Sequence, residues 1–444
     1  MPVSPARAAA FDILLRVEEQ DAYASELLHS DRLHDLSLAD RALTTEIVMG
    51  VLRWRSRLDQ AIAASSSRPL ARLDPQVLVA LRIGAYQLLF LSRVPARAAN
   101  NESVELVKRA RKTSAAPFAN AILRKLSDAG VMKPEATPNI ATAAQLADAY
   151  AHPEWLVERW VGHFGIANAE VICLRDQRVP TISIRIASED VARELEADGI
   201  QLGPGALLTA ARTITGGDVT QTRAYRDGRV FIQDEGSQLV ALLVGTGARL
   251  LDCCAAPGGK TAVLAARNPS VQIVAAELHP RRAELLRERV RAANVQVITA
   301  DALHLSSQGG FDRVLADVPC SGTGTLARNP EIKWRLKPDD LVDLYAKQVA
   351  ILRSALQQLA PGGRAVYSTC SLEPEENEAV VDEILRVGQE FKLLDCRAEL
   401  ERLRGSQELS IGNVGELLNG PYLRTIPGKQ PCDGFFAAVF ERLS

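Results

Sequence analysis

Aromatic side chains make up only 5% of the 444 residues, too few for a surface built on many stacked bases. Histidine is scarcer, six in all, and there is no Cys-x-x-Cys and no His-rich tract, so no zinc site is expected. The seven cysteines are an odd count without framework spacing, which speaks against disulfides and for a reducing cytoplasm. No apolar run reaches the ~18 residues that cross a bilayer, so no membrane association is expected. The opening MPVSPARAAAFDILL passes straight into an amphipathic pattern, with no secretory signal expected there. Repeats and low-complexity segments are missing. So is a net positive charge: the balance is −2, and an RNA partner would have to be met by local basic clusters.

What is present is an ordinary soluble composition, 47% apolar and 24% charged, in a chain long enough for two or three domains. Residues 1 to about 135 carry only helical patterns. Phe11, Leu14 and Leu15, then Leu43, Ile47 and Val51, then Leu78, Leu81, Tyr86 and Leu89 each repeat at helical spacing. Asp74-Pro75 reads as a cap and first turn. Val104, Leu106, Phe118, Ile122 and Leu126 complete an all-α bundle. This region holds the basic clusters Arg53, Arg55 and Arg57; Lys108, Arg109, Arg111 and Lys112; and Arg124 with Lys125. Solvated helix faces explain any one of them equally well.

Lys133-Pro134, Pro138 and neighbouring small residues suggest a linker over 133–152. Residues 145–235 read as a small α+β subdomain of RRM or ferredoxin-like type. It has a helix with Trp155, Trp160 and Phe164 on its apolar side, an alternating strand at 181–186, a helix at 188–198, and strand-like pieces near 207–215 and 229–233. From 236 to 444 strands alternate with helices. Strands are expected at 249–253, 272–276, 295–299, 313–317 and 364–368, with helices at 260–267, 280–293, 340–359 and 375–387. That alternation implies a mostly parallel, doubly wound α/β sheet of Rossmann-like form, with ligands at the carboxyl ends of the strands.

Three motifs fall at such ends. Asp252-Cys253-Cys254-Ala255-Ala256-Pro257-Gly258-Gly259-Lys260-Thr261 leaves a strand, turns on two glycines and opens a helix. Such a turn lets backbone approach a ligand and offers an anion site at the helix amino terminus. Cys254 stands where a Walker loop needs its first glycine, and G-x-G-x-x-G is absent, so neither ATP hydrolysis nor a dinucleotide is indicated. S-adenosylmethionine fits better, because its carboxylate can take the helix terminus without a phosphate. Glu277, ending the second strand, suits the ribose hydroxyls, and Asp301, after the third, suits the adenine amino group. Either acid alone reads more simply as a capping or solvated residue.

The second and third motifs, Asp317-Val318-Pro319-Cys320 and Ser368-Thr369-Cys370-Ser371, each place a thiol after a strand. Two such thiols beside a methyl-donor turn suggest methyl transfer to carbon through a cysteine adduct. Carbon 5 of cytosine is too weak a nucleophile to take a methyl unaided; a thiolate added at carbon 6 makes it an enamine. Asp317 would stabilise that adduct by sharing or donating a proton at the ring nitrogen. Cys173, Cys396 and Cys432 read as small core hydrophobes, and Cys253 as strand packing. Asn329 to Trp334 lies just past Cys320 and could cover a base pocket, although Trp334 reads equally as packing. The acidic run Glu373 to Glu378 reads as a helix start.

Taken together, CAAPGGKT, Glu277, DVPCSGTGT, PEIKW and YSTCSLEPEENE resemble the RNA 5-methylcytosine methyltransferases, as does VFIQDEGSQ (230–238). The amino-terminal segments YQLLFLSRVPARAANNESVELVKRA and FANAILRKL resemble the NusB-like RNA-binding domain fused to that catalytic domain in the RsmB/Sun (Fmu) branch, so the resemblance covers nearly the whole chain. It implies an enzyme that methylates one cytosine of small-subunit ribosomal RNA; a cytoplasmic monomer is expected. It implies Cys370 as nucleophile and Cys320 as the thiol that assists product release; the motifs alone leave that choice open. It also implies cofactor contacts from Cys254, Ala255, Ala256, Pro257, Gly258, Gly259, Lys260, Glu277, Asp301 and Asp317, with no metal. Glu277 stands where Asp is commoner and Val318 where Ala is commoner. Two alternatives remain at this stage: the same chemistry on transfer RNA, and a non-catalytic RNA-binding or antitermination factor.

Overall fold

The computed structural model describes residues 3–30, 33, 35–129, 140–305 and 309–443. The Lys133-Pro134 and Pro138 stretch of the expected linker lies outside them. The chain divides into two compact units, Met1–Val179 with Leu326–Arg335, and Pro180–Thr325 with Leu336–Ser444.

In the first unit, helices Pro5–Glu19, Leu38–Arg53, Arg55–Ser65, Ala96–Arg109 and Ala116–Ala129 surround Pro75–Phe90, which is buried along nearly its whole length. Its mixed Val, Leu, Ile and Ala surface leaves no polar stripe, as suits a central helix. Asp74 does not cap it through its side chain; its carboxylate instead takes Lys112 Nζ at 3.0 Å. Most of the basic clusters are similarly engaged. Arg55 pairs with Glu18 (2.7 Å), Arg57 with Asp148 (3.0 Å), Lys108 with Glu105 (2.7 Å) and Arg109 with Asp12 (2.8 Å).

Helices Ala143–Ala149, Glu154–Phe164 and Ile166–Asp176 belong to this unit, whereas the sequence groups residues after 145 with the strands that follow. The reason is packing: Trp160 is fully buried, Gln177 Nε2 donates to Arg53 O at 3.0 Å, and Asp148 accepts from Gln60. The segment Leu326–Arg335 is also seated here. Trp334 Nε1 donates to Leu52 O (2.6 Å), Lys333 Nζ to Arg53 O (3.0 Å), Ala24 N to Glu331 (2.8 Å) and Arg53 to Ala327 O (2.9 Å). Glu331, Lys333 and Trp334 are thus engaged with the helices, as the packing reading of Trp334 expects.

Lys333 is fully buried, and burial pulls its ammonium down to about 7, against the opposing field of Asp176. In the unfolded chain it titrates near 10.4. Between those values the unfolded chain holds the extra proton, so raising the pH stabilises the fold, and the full cost of burial is felt below about 7. Lys333→Met is expected to flatten the rise in melting temperature between pH 7 and 10. Arg53 O keeps the Gln177 donor in that variant. A slope equal to that of the parent protein would refute the burial argument.

The second unit begins with strands β1 (Ile182–Ile186), β2 (Gln201–Pro204), β3 (Ala211–Gly216) and β4 (Val230–Ile232). They pair antiparallel in the order β2-β3-β1-β4. With helix Glu189–Ala197 after β1 and the single turn Arg223–Arg226 before β4, this is the ferredoxin-like order with a stunted second helix. Strand β2 is an addition to the strands read from sequence.

Next come β5 (Leu250–Asp252), β6 (Ile273–Glu277), β7 (Val295–Thr299), β8 (Phe311–Asp317) and β9 (Leu359–Thr369). They are parallel, in the order β7-β6-β5-β8-β9. The fully buried run IVAAE of β6 is what a strand covered on both faces requires. Strands β10 (Phe391–Leu394), β11 (Leu418–Asn419), β12 (Tyr422–Arg424) and β13 (Phe436–Arg442) extend the sheet beyond β9 with antiparallel pairs. The doubly wound part is as expected; this antiparallel flank makes the whole sheet mixed.

Candidate active site

All five parallel strands deliver their carboxyl ends to one edge: Asp252, Glu277, Thr299, Asp317 and Thr369. The strand order reverses between β5 and β8, where a ligand crevice forms in doubly wound sheets. The glycine turn follows β5, the Pro-Cys loop follows β8, and the second thiol follows β9 beside it.

In the glycine turn, Ala255 N bonds Ala276 O at 2.9 Å, anchoring the loop to the neighbouring strand. Gly258 has φ +107°, and a Cβ there would lie 2.6 Å from Val290 Cγ2. Only glycine both adopts that conformation and leaves that space. It caps helix Gly259–Arg267, whose first turn is thus presented to the crevice. Beneath the turn lies Asp252, which the sequence reading did not single out. Its carboxylate accepts from Thr261 Oγ1 at 2.7 Å, and complete burial pushes it up to about 7 despite that bond. Cys254 is half-buried; burial, then the Asp252 charge, raises its thiol.

Lys260 Nζ reaches Asp317 Oδ2 at 2.7 Å, and Ser368 Oγ donates to Asp317 Oδ1 at 2.7 Å. Burial alone would lower the ammonium; the charge of Asp317, their hydrogen bond and Cys370 raise it. Lys260 and Asp317 thus form an ion pair at the crevice. Glu277 is 4% exposed and accepts from His279 N at 3.0 Å, with Arg282 at 3.8 Å. Asp301 caps the turn Ala302–His304 by accepting from Leu303 N at 2.9 Å.

The two thiols meet. Cys320 Sγ and Cys370 Sγ are 3.2 Å apart, and Cys370 N donates to Cys320 Sγ at 3.3 Å. The bond with Cys370, then burial, pushes the Cys320 thiol well up. Cys173, Cys253, Cys396 and Cys432 are buried and none is disulfide-bonded.

The two loops are tied by groups that the sequence reading missed. Gly324 N donates to Cys370 O (2.9 Å), Gly434 N to Gly324 O (2.8 Å) and Leu372 N to Thr323 Oγ1 (2.9 Å). Glu376, fully buried, accepts from Ser321 N and Gln348 Nε2, both at 2.8 Å, and from the hydroxyls of Ser321 and Ser371. The acidic run was read as a helix start, and no local signal marks one of its members as buried. Among the described residues no three His, Cys, Asp or Glu side chains converge as metal ligands, and no helix is long and apolar enough to cross a membrane.

Residues 240–441 match the family model for the 16S rRNA methyltransferase RsmB/F, and residues 4–128 that of the NusB family. A relative in Vibrio cholerae, named ribosomal RNA small subunit methyltransferase B, is 32% identical over 98% of this chain and 97% of its own. One from Xanthomonas campestris with the same name is 32% identical, over 91% and 90%. The crystal structure of PH0851 aligns with the whole of this chain over its own whole length, at 25% identity and a TM-score of 0.82.

Proposed function

Because this chain belongs to the ribosomal RNA small subunit methyltransferase B family, we propose that it methylates carbon 5 of one cytosine in small-subunit ribosomal RNA, using S-adenosylmethionine and a covalent cysteine adduct. The observation that carries this reading is the pair of sulfurs at 3.2 Å, on loops from adjacent strand ends beside a glycine turn.

The turn suits the methyl donor. A left-handed glycine at a helix amino terminus fits a carboxylate, and a buried carboxylate on the next strand fits vicinal hydroxyls. Cys254 to Lys260 would hold the methionine part, Glu277 the ribose and Asp301 the adenine. When bound, the donor supplies an electrophilic methyl on a sulfonium.

The chain's own residues do the rest. The Cys370 thiolate forms a bond to carbon 6, and the ring electrons thus displaced make carbon 5 nucleophilic. The Lys260–Asp317 pair is the proton-bearing group beside the sulfurs that can answer charge gathering on the ring. Once carbon 5 carries its methyl, its proton leaves to a base, the sulfur–carbon 6 bond breaks, and the double bond reforms. Cys320, with its sulfur 3.2 Å from that of Cys370, assists that release. The target cytosine must be unstacked or flipped for carbon 6 to be attacked from its face.

Bisulfite sequencing of ribosomal and transfer RNA from a strain lacking the protein tests this reading. One protected cytosine in small-subunit ribosomal RNA should be lost and restored on complementation. Loss in transfer RNA instead, or a new methyl found on oxygen or an exocyclic amine, would overturn it.

A further inference from the structure

Glu376 lies six residues beyond Cys370, in the turn Pro374–Glu376, and takes no direct part in the chemistry above. Its surroundings are unusual for a carboxylate. It is 0% exposed, and among the described residues its partners are neutral donors only. Two of those donors are the residues that immediately follow the two thiols: Ser321 after Cys320, through both its N–H and its hydroxyl, and Ser371 after Cys370. The two hydroxyls also meet each other at 3.0 Å. Gln348 donates to the same carboxylate oxygen as Ser321 N, and also to Pro319 O at 3.0 Å, just ahead of Cys320. The carbonyl of Glu376 itself accepts from Tyr367 OH at 2.6 Å.

A buried anion without a cationic partner is costly, and a helix start would not need it. Removing it would free both loops at the residue next to each sulfur.

We propose that Glu376 is the positioning residue of the thiol pair: one carboxylate grips the residue after each cysteine and so holds the two sulfurs in hydrogen-bonding register. The inference rests on the two-cysteine reading above for its catalytic meaning, but the register itself can be measured without RNA or methyl donor. Besides geometry, a fixed negative charge close by favours the protonated form of Cys320, to which it contributes after Cys370 and burial. Among the described residues, Lys260, itself paired with Asp317, acts on Cys370 from the helix after the glycine turn, and Tyr367 of β9 on Cys320.

The test compares Glu376→Gln and Glu376→Asp with the full-length parent. The rate at which iodoacetamide alkylates Cys370, located by mass spectrometry, is followed against pH. Glu376→Gln is expected to move the midpoint of that profile by about half a unit or more, because it removes the charge and one acceptor. It should also lower methylation roughly a hundredfold, as an ångström-scale misplacement does, while the affinity for S-adenosylmethionine by calorimetry stays within about twofold. Glu376→Asp should recover part of both effects. A merely structural glutamate would lower the melting temperature and leave the alkylation midpoint in place; that result, in a folded Glu376→Gln protein, overturns the proposal. If Glu376→Gln does not fold, the double variant Ser321→Ala/Ser371→Ala removes both hydroxyl donors and keeps the carboxylate; an unshifted profile there overturns it equally. Failure of the two-cysteine mechanism would show differently, as a parent protein that never bonds to RNA while its alkylation profile still responds to Glu376.

Discussion

Cys370→Ala is expected to lose on the order of 10³-fold or more in methyl transfer, with no protein–RNA adduct on a denaturing gel. Cys320→Ala is expected to do the opposite with the adduct. It should bond to RNA, transfer the methyl, and then fail to let go, so that a stable conjugate accumulates while turnover falls. The asymmetry follows from the roles proposed for the two sulfurs. The two sulfurs share one hydrogen bond at 3.2 Å, and that bond, then burial, pushes the Cys320 thiol well up. Attack needs a thiolate, the role proposed for Cys370, and Cys320 acts only once the methyl is in place. Both variants remove only a small side chain from a half-buried site, so the fold should persist, which circular dichroism can verify. Normal turnover by Cys320→Ala with no conjugate would reverse the assignment of roles.

The second large effect concerns a position without a side chain. In Gly324→Ala the new methyl would lie 2.2 Å from Gly434 O and 2.9 Å from Cys370 O. Both neighbours are backbone and cannot swing aside as a flexible side chain would. The bonds Gly324 N to Cys370 O and Gly434 N to Gly324 O would have to lengthen, carrying the Cys320 loop away from the Cys370 loop. Overpacking of this sort costs roughly 1–3 kcal/mol. The catalytic cost should be greater, about a hundredfold in kcat, since sulfurs in contact tolerate little displacement. Binding of the methyl donor should change far less, because the glycine turn lies on a different loop. A Gly324→Ala protein with parental kcat would show that the loops do not need this close approach.

These two cases mark how far the sequence can be read. Cys320 and Cys370 were legible because each ends a local apolar strand pattern and sits in a loop of Ser, Thr and Gly. The fold supplies only their meeting. Gly324 and Glu376 were not legible for opposite reasons. Gly324 looks like any loop glycine until β13 brings Gly434 against it, more than a hundred residues later in the chain. Glu376 stands among Glu373, Glu375 and Glu378 with no local mark of its burial. Asp317 was read at a strand end, where the structure has it, but its pairing with Lys260, 57 residues earlier, was not visible. The doubly wound core was legible from alternating strands and helices. The antiparallel flank β10–β13 was not, because its short strands lack any βα rhythm. Of the three helices over 143–176 only the one at 154–164 was read as a helix, and their allegiance to the first unit depends on contacts such as Gln177 with Arg53 that no window of sequence contains.

Ten residues, Leu326–Arg335, complete a helical unit whose remaining chain ends at Val179. A ribosome making this protein must therefore add the whole of Pro180–Thr325 before Lys333 and Trp334 can reach the carbonyls of Arg53 and Leu52. At ordinary elongation rates that is a wait of roughly 7–30 s. During it the nascent helices hold an unfilled seat, and a polypeptide released early would carry that vacancy permanently.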